Sequence, residues 1–142
     1  MKKTIVIIAG PTASGKTKTS IEVAKKLNTE IVSADSMQIY KYMDIGTAKP
    51  KISEMEGIPH HMIDVIYPDE DFSVAVYREM AGKCVNSIIS KNKIPIVVGG
   101  TGLYINSFLY NMDFTETPED TEYRNYLKNY AVIYGNEALH SL

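Results

Sequence analysis

A continuous apolar run followed by a glycine-rich loop constrains the fold of this chain more than any other feature. Residues Lys3–Ala9 read Lys-Thr-Ile-Val-Ile-Ile-Ala, and such β-branched residues without polar alternation are typical of a strand buried on both faces. The loop Gly10–Gly15 follows, and from Lys16 to Asn28 apolar residues recur at helical spacing. A strand, a tight loop and a helix in this order predict the start of a parallel sheet.

The alternation of strands and helices continues along the chain. We predict further strands at Glu30–Ala34, His61–Ile66 and Ile94–Val98, and helices at about residues 53–57, 73–92, 102–109 and 118–138. This order predicts an α/β fold with an open, mostly parallel sheet flanked by helices. Four strands make a thin sheet for this class, and the last helix has little to pack against. We therefore expect the chain to be part of a larger protein.

Composition and charge narrow the class of protein. The 142 residues are 44% apolar and 23% charged, which is ordinary for a soluble globular protein. No apolar run approaches the roughly 18 residues of a membrane span. The single cysteine, Cys84, excludes an internal disulfide, and we expect a buried thiol in a reducing, cytoplasmic setting.

The charge is unevenly distributed along the chain. Residues 1–51 carry nine lysines and four acidic residues, whereas residues 52–142 carry six basic and thirteen acidic residues. Without an overall basic excess the chain is not an obvious nucleic-acid binder. Its N-terminal third still offers positive charge to a phosphate-bearing partner.

The loop after the first strand fits the phosphate-binding pattern G-x-x-x-x-G-K-[ST]. Its glycines allow a tight turn in which backbone N–H groups converge on a phosphate, and the following helix adds positive charge at its N-terminus. Lys16 can reach phosphate oxygens, and the Thr17 hydroxyl can be a ligand for Mg²⁺. The residues predicted to bind a diphosphate are Gly10, Thr12, Ala13, Ser14, Gly15, Lys16 and Thr17.

Two polar residues follow predicted strands and are candidates for the chemistry. Asp35 comes directly after the second strand, and Thr101 follows the fourth. Ligands of open α/β sheets bind at the carboxyl ends of strands, so we expect both residues to face the phosphate loop. Asp35 fits a metal-side acid, a general base or a cap of the next turn, and Thr101 fits a substrate contact or a helix cap. Neighbouring His60 and His61 point to opposite faces of a strand, which disfavours a two-histidine metal site.

Several segments together resemble the tRNA dimethylallyltransferases, also called tRNA isopentenyltransferases. The phosphate loop alone is widespread, whereas Asp-Ser-Met-Gln and Ile-Gly-Thr-Ala-Lys-Pro are far more specific. The resemblance covers residues 4 to about 110 well and the remainder loosely. The matching segments are Gly10–Thr17, Ser33–Tyr40, Met43–Pro50, Pro59–Asp64 and Val98–Tyr104.

This resemblance implies transfer of a dimethylallyl group from its diphosphate to N6 of an adenosine next to the anticodon in tRNA. Lys16 and a Thr17-bound Mg²⁺ would stabilise the leaving diphosphate, and Asp35 matches the family's general base. The adenosine would have to be flipped out to reach such a pocket. Thr101 matches a tRNA-contacting threonine beside the diphosphate, which makes it a third catalytic candidate. The tRNA-contacting residues that match are Asp35, Ser36, Met37, Gln38, Thr101 and, with a one-residue shift in spacing, Arg124.

The chain is about half as long as typical members of that family, in which a helical insertion begins near position 115 of this sequence. We therefore expect residues 1–114 to form an incomplete catalytic core of the P-loop NTPase-like type and residues 115–142 to begin a helical tRNA-binding insertion. The chain alone should keep the diphosphate cradle and the base but bind tRNA poorly. We expect a cytoplasmic monomer.

Two other functions are also compatible with the sequence. A small-molecule kinase with the same loop would transfer a phosphoryl group from ATP, with Asp35 activating a hydroxyl acceptor. Kinases usually place arginines over the transferred phosphate, and the chain contains only Arg78 and Arg124, one of them on a predicted helix face, which disfavours this function. The other alternative is an inactive fragment that holds a diphosphate or nucleotide. Product formation in a single turnover distinguishes it from either enzyme.

Overall fold

The computed structural model of the chain describes residues 4–110 and 120–142. The described residues up to 110 form one compact unit, and those from 120 onward form a second. The predicted domain boundary after residue 114 and most of the acidic stretch 113–120 lie outside the described residues, so the division into core and insertion stays a prediction. Within the two described ranges, no helix is long and apolar enough to cross a membrane.

The first unit is built on a parallel sheet of four strands, which confirms the predicted fold class. The strands are β1 (Val6–Ala9), β2 (Ile31–Ser33), β3 (His60–His61) and β4 (Ile96–Gly99), in the order β1-β4-β2-β3. Strand β4 pairs with β1 on one side and with β2 on the other. The carboxyl ends of these three strands therefore meet at one edge of the sheet, where ligands of open α/β folds bind.

Helices cover both faces of this sheet. Helix α1 (Lys16–Leu27) follows β1, the short α2 (Ile52–Met55) precedes β3, α3 (Val74–Ser90) connects β3 to β4, and α4 (Gly102–Leu109) follows β4. Helix α1 ends as predicted at Asn28, which adopts the left-handed conformation and donates its N–H to the last turn.

Successive residues of the two central strands pack against different helices. On one face, Ile31 and Ile96 pack with Ile21 and Ala24 of α1. On the other face, the next residues of β2 and β4 pack with α3 and α4 in a cluster that includes Val32, Ala34, Val97, Tyr77, Ala81, Val85, Ile88, Tyr104 and Ile105. Cys84 is half-buried beside this cluster, and burial raises the pKa of its thiol. Burial on both faces explains why these strands carry apolar residues without alternation.

The third predicted strand is much shorter than expected. A strand was predicted over His61–Ile66, but β3 ends at His61 because Met62 and Asp64 adopt positive φ angles of 63° and 54°. The backbone N–H groups of residues 64–66 instead donate to carbonyls at positions 38 and 39. The prediction was wrong because these tertiary hydrogen bonds override the local β-propensity.

The second unit is helical, but not as one helix. The predicted helix over residues 118–138 is divided into α5 (Thr121–Tyr134) and α6 (Asn136–His140) by Gly135, which has a φ of 88°. Asp120 caps the N-terminus of α5, because its carboxylate accepts a hydrogen bond from the N–H of Tyr123. Ring contacts along α5 join Tyr123, Tyr126, Tyr130 and Tyr134.

A buried carboxylate connects the amino end of β2 to β3 and to the end of α3. Glu30 has a side chain only 5% exposed, and its two oxygens lie 2.8 Å from His61 Nε2 and 2.8 Å from Lys91 Nζ. The Lys91 ammonium holds the pKa of Glu30 below its ordinary value of 4.5, against the effect of burial, and His61 lowers this pKa further. Ionised Glu30 therefore stabilises the fold above pH 4.5.

Replacing Gly99 by alanine should destabilise the first unit. A Cβ at this position would lie 2.1 Å from the carbonyl oxygen of Ala34, so the backbones of β4 and β2 would have to separate. We expect a loss of about 1–3 kcal/mol in the free energy of unfolding, measured by urea denaturation. Gly82→Ala is the control, because a Cβ there meets no atom within 4 Å. Equal stability of Gly99→Ala and the wild type would contradict the close approach.

The Glu30→Gln variant should be less stable than the wild type at pH 7. The pKa of Glu30 is lowered by folding, so its contribution is present above pH 4.5 and is lost as the pH falls below that value. Urea denaturation at a series of pH values should therefore show the two proteins converging in acid. Glu79→Gln, which removes an exposed pair with Lys83, is the control and should change stability little at any pH. A stability difference that persists undiminished in acid would contradict the assignment.

Candidate functional site

The predicted phosphate loop lies between β1 and α1 with its backbone in an anion-binding conformation. Ala13 and Gly15 have positive φ angles of 63° and 85°, and such left-handed residues turn successive N–H groups toward a common point. The N-terminus of α1 begins at the next residue and adds its partial positive charge. A Cβ at Gly10 would lie 3.1 Å from Ser14 Oγ, so the first glycine of the motif leaves room for the turn.

The lysine of the loop reaches across it. Lys16 Nζ donates to the carbonyl oxygen of Pro11 at 2.5 Å, and the Lys16 side chain also lines the adjoining cavity. A phosphate oxygen held in the loop would compete with this carbonyl for the ammonium group. Thr17, the predicted magnesium ligand, lines the same cavity.

Asp35 both caps a turn and lines this cavity. Its Oδ1 accepts hydrogen bonds from the backbone N–H groups of Met37 at 2.8 Å and Gln38 at 3.3 Å. Both bonds are made by one oxygen, so the carboxylate is fixed in orientation while Oδ2 takes no part in the turn. The turn-cap alternative is therefore realised in the structure, and it is compatible with a role in proton transfer.

Thr101 connects the ends of β2 and β4. Its backbone N–H donates to the Ala34 carbonyl at 3.2 Å, and its Oγ1 accepts from the Ser36 N–H at 3.0 Å. Although Thr101 is the residue before α4, its hydroxyl makes no capping bond to that helix. Gly99 and Gly100, rather than Thr101, line the cavity from this part of the chain.

The cavity has a volume of about 500 Å³ and is lined by both polar and apolar residues. The phosphate loop and the first turns of α1 form its cationic side. Ile31 and Val98 contribute apolar surface from the sheet, and Ile63 and Met37 add to it. The cavity is also lined by Gly46, Thr47, Ala48 and Pro50, here called the loop wall. The arrangement suits a ligand with a charged phosphate end and an apolar remainder.

A buried lysine that the sequence analysis did not single out, Lys49, lies in the loop-wall segment between Ala48 and Pro50. The Lys49 side chain is only 6% exposed, and its ammonium donates to Tyr40 O at 2.9 Å, Asp44 Oδ1 at 2.7 Å and Asp64 Oδ1 at 2.6 Å. Burial disfavours its charge, but the two carboxylates outweigh burial and raise the pKa of Lys49 above its ordinary value of 10.5. The only sequence signal was that Lys49 belongs to the distinctive Ile-Gly-Thr-Ala-Lys-Pro segment.

His60 is a second cavity residue that was not predicted as part of the site. Its Nδ1 lies 2.8 Å from the carbonyl oxygen of Ile58, and burial lowers the pKa of the ring below 6.5. A carbonyl only accepts, so Nδ1 carries the proton and Nε2 of the neutral ring is an acceptor. Its neighbour His61 pairs with Glu30 instead, so the two histidines have different partners.

Comparison with known proteins assigns the chain to a family. A family model described as IPP transferase matches residues 38–142. The chain belongs to the IPP transferase family. Among its members, a protein of Acetivibrio thermocellus named tRNA dimethylallyltransferase is 60% identical over 137 residues, which are 96% of this chain and 44% of that protein.

Solved structures of the IPP transferase family also match the fold. The full-length tRNA isopentenylpyrophosphate transferase of Bacillus halodurans is 46% identical with a TM-score of 0.79, over 99% of this chain and 46% of that one. A eukaryotic dimethylallyltransferase acting on tRNA is 31% identical with a TM-score of 0.78, over 99% of this chain and 38% of that one. The chain thus spans less than half the length of these relatives.

The predicted IPP transferase site residues are only partly brought together. Asp35, Met37 and Gln38 line the cavity with six of the seven phosphate-loop residues that were predicted to bind the diphosphate, and the seventh, Gly10, borders the loop. Ser36 and Thr101 bond to each other at the edge of the cavity. Arg124 lies on α5 in the second unit. The roles assigned to these residues stay predictions.

Replacing Lys16 by methionine should weaken the binding of inorganic diphosphate. The substitution keeps the length of the side chain and removes the ammonium that reaches across the loop to Pro11, and a hydrogen bond to a charged group contributes about 1.5–3 kcal/mol. We expect the dissociation constant to rise by about 10- to 100-fold in calorimetric titration. Lys26→Met, in the last turn of α1, is the matched control and should bind like the wild type. Equal affinity of Lys16→Met and Lys26→Met would contradict the assignment of Lys16.

Proposed function

We propose that this chain carries the donor-binding and proton-accepting part of a tRNA dimethylallyltransferase. The reaction moves a dimethylallyl group from its diphosphate to N6 of an adenosine adjacent to the anticodon. The observation that carries the proposal is that the phosphate loop, Asp35 and several apolar residues line one and the same cavity. Membership of the IPP transferase family supports it, because relatives in that family are named for this transfer.

The donor binds with its diphosphate in the phosphate loop. Backbone N–H groups at Ala13–Lys16 and the Lys16 ammonium hold the phosphate oxygens, and their charge complements the negative charge that develops as the C1–O bond breaks. The five-carbon chain lies against the apolar part of the cavity, which includes Ile31, Ile63 and Val98. Removal of this apolar chain from water favours binding.

We propose that Mg²⁺ binds to oxygens of the same diphosphate. The Thr17 hydroxyl would hold it together with phosphate oxygens and water, the arrangement that this hard cation prefers. Residues 4–110 and 120–142 contain no group of three or more His, Cys, Asp or Glu side chains that could hold a metal, and binding through the diphosphate requires none. When bound, the cation supplies positive charge to the leaving group.

The acceptor amine needs a base because its lone pair is delocalised into the adenine ring. As N6 attacks C1 of the dimethylallyl group, the C1–O bond breaks, the diphosphate leaves, and Asp35 takes the proton lost by N6. Hydrogen bonds from Met37 and Gln38 to Oδ1 keep the carboxylate in place for this transfer. Flipping the adenosine out of its stack brings N6 to the cavity, where Ser36, Met37, Gln38 and Thr101 are proposed contacts.

The second unit contributes to how well RNA is held. Arg124 on α5 is a proposed tRNA contact, and these 142 residues span less than half the length of a relative named tRNA dimethylallyltransferase. We expect weak tRNA binding by these 142 residues alone and a monomeric, cytoplasmic protein. The chemistry should therefore be tested with protein in excess over a short anticodon stem-loop RNA.

The Asp35→Asn variant should bind dimethylallyl diphosphate like the wild type and transfer its prenyl group poorly. Asparagine keeps the side-chain oxygen that caps the turn but cannot accept the N6 proton, so we expect a single-turnover rate about 10²–10⁴-fold lower. The rate is measured as labelled prenyl group incorporated into the stem-loop RNA. Asp69→Asn, at an exposed acidic residue, is the control. Wild-type transfer by Asp35→Asn would overturn the role of Asp35, and no transfer by the wild type would favour an inactive binding fragment.

A further inference from the structure

The ion cluster formed by Lys49, Asp44 and Asp64 holds the segment that carries the loop wall and has no part in the chemistry described above. We infer that Lys49 is a positioning residue that holds the loop wall against the prenyl end of the donor and so sets affinity for the prenyl group. The inference rests on the proposed function, because it assumes that the occupant of the cavity is a prenyl diphosphate.

The cluster fixes both ends of the segment that carries the loop wall. Lys49 lies within that segment, Asp44 lies just before Gly46, and the carbonyl of Tyr40 lies before the segment begins. Asp64 belongs to the separate turn after β3. One buried ammonium thus joins three points of the chain. The carboxylates are 68% and 49% exposed whereas the lysine is 6% exposed, so the lysine is the centre of the cluster.

A second set of hydrogen bonds holds the loop wall from the side of the cavity. Gln38 Nε2 donates to Thr47 O at 3.3 Å and to Ala48 O at 3.2 Å. Its Oε1 accepts from Ser33 Oγ of β2 at 3.1 Å. Gln38 therefore connects the loop wall to β2. The Lys49 cluster connects the same segment to Tyr40 and to the turn after β3.

The position of the cluster predicts which part of a ligand depends on it. The loop wall and the phosphate loop are separate segments of the cavity lining, and no bond of the cluster touches Gly10–Thr17. Loss of the cluster should move the surface that faces the prenyl chain and leave the diphosphate cradle intact. A residue needed only for folding would weaken both parts of the site together.

The test compares two ligands on the full 142-residue chain with Lys49→Met. Calorimetric titration in the presence of Mg²⁺ should show inorganic diphosphate binding as in the wild type and dimethylallyl diphosphate binding about tenfold more weakly. Lys49→Arg, which keeps the charge, should restore part of the preference. Lys83→Met, which removes an exposed lysine with a single carboxylate partner, is the matched control and should bind both ligands like the wild type.

Failure of this inference and of the proposed function give different results. If the wild type binds dimethylallyl diphosphate no better than inorganic diphosphate, the proposed function fails. If the wild type shows the preference and Lys49→Met keeps all of it, the inference about Lys49 is overturned. A Lys49→Met protein that loses both ligands equally shows a folding role only and also overturns it. Asp64→Asn, which removes one half-exposed partner, should lower the preference less than Lys49→Met does.

Discussion

The site depends on how closely β2 and β4 approach each other at their carboxyl ends. Gly99 lies against the backbone of Ala34 with no room for a side chain, and the Thr101 N–H donates to the same carbonyl. This approach brings Asp35 and Gly100 to one edge of the sheet. Because β4 also pairs with β1, the phosphate loop meets them there. The geometry of the cavity is therefore a property of three adjacent parallel strands.

The proposed site combines two recognition modes. A loop of this geometry presents backbone N–H groups and a helix terminus to negative charge, and neither depends on what the phosphate carries. In the proposed complex, the loop wall and the apolar residues of the sheet contact the remainder of the ligand. Separate hydrogen bonds hold the two segments, since Lys16 reaches across the phosphate loop while Gln38 and Lys49 hold the loop wall.

Sequence reasoning anticipates the parts of this site that follow from local pattern. The strand, glycine loop and helix around Lys16 form a contiguous motif, and Asp35 and Thr101 reach one edge because parallel strands share a direction. The loop wall was not anticipated, because its position depends on Lys49 meeting Asp64 from another turn. Other long-range contacts, the backbone hydrogen bonds from residues 64–66 to the carbonyls at positions 38 and 39, accompany the early end of β3. Gly135 was visible in the sequence, but the helical pattern on both sides of it favoured one continuous helix over the two that form.

The central claim is that this cavity takes a prenyl diphosphate in preference to a nucleotide. The most direct measurement is a pair of calorimetric titrations of the 142-residue chain in Mg²⁺, one with dimethylallyl diphosphate and one with ATP. A cavity that joins apolar residues to a phosphate loop should bind the prenyl diphosphate more tightly. Tighter binding of ATP would contradict the claim and favour a kinase, and binding of neither ligand would show that these residues do not form the site by themselves.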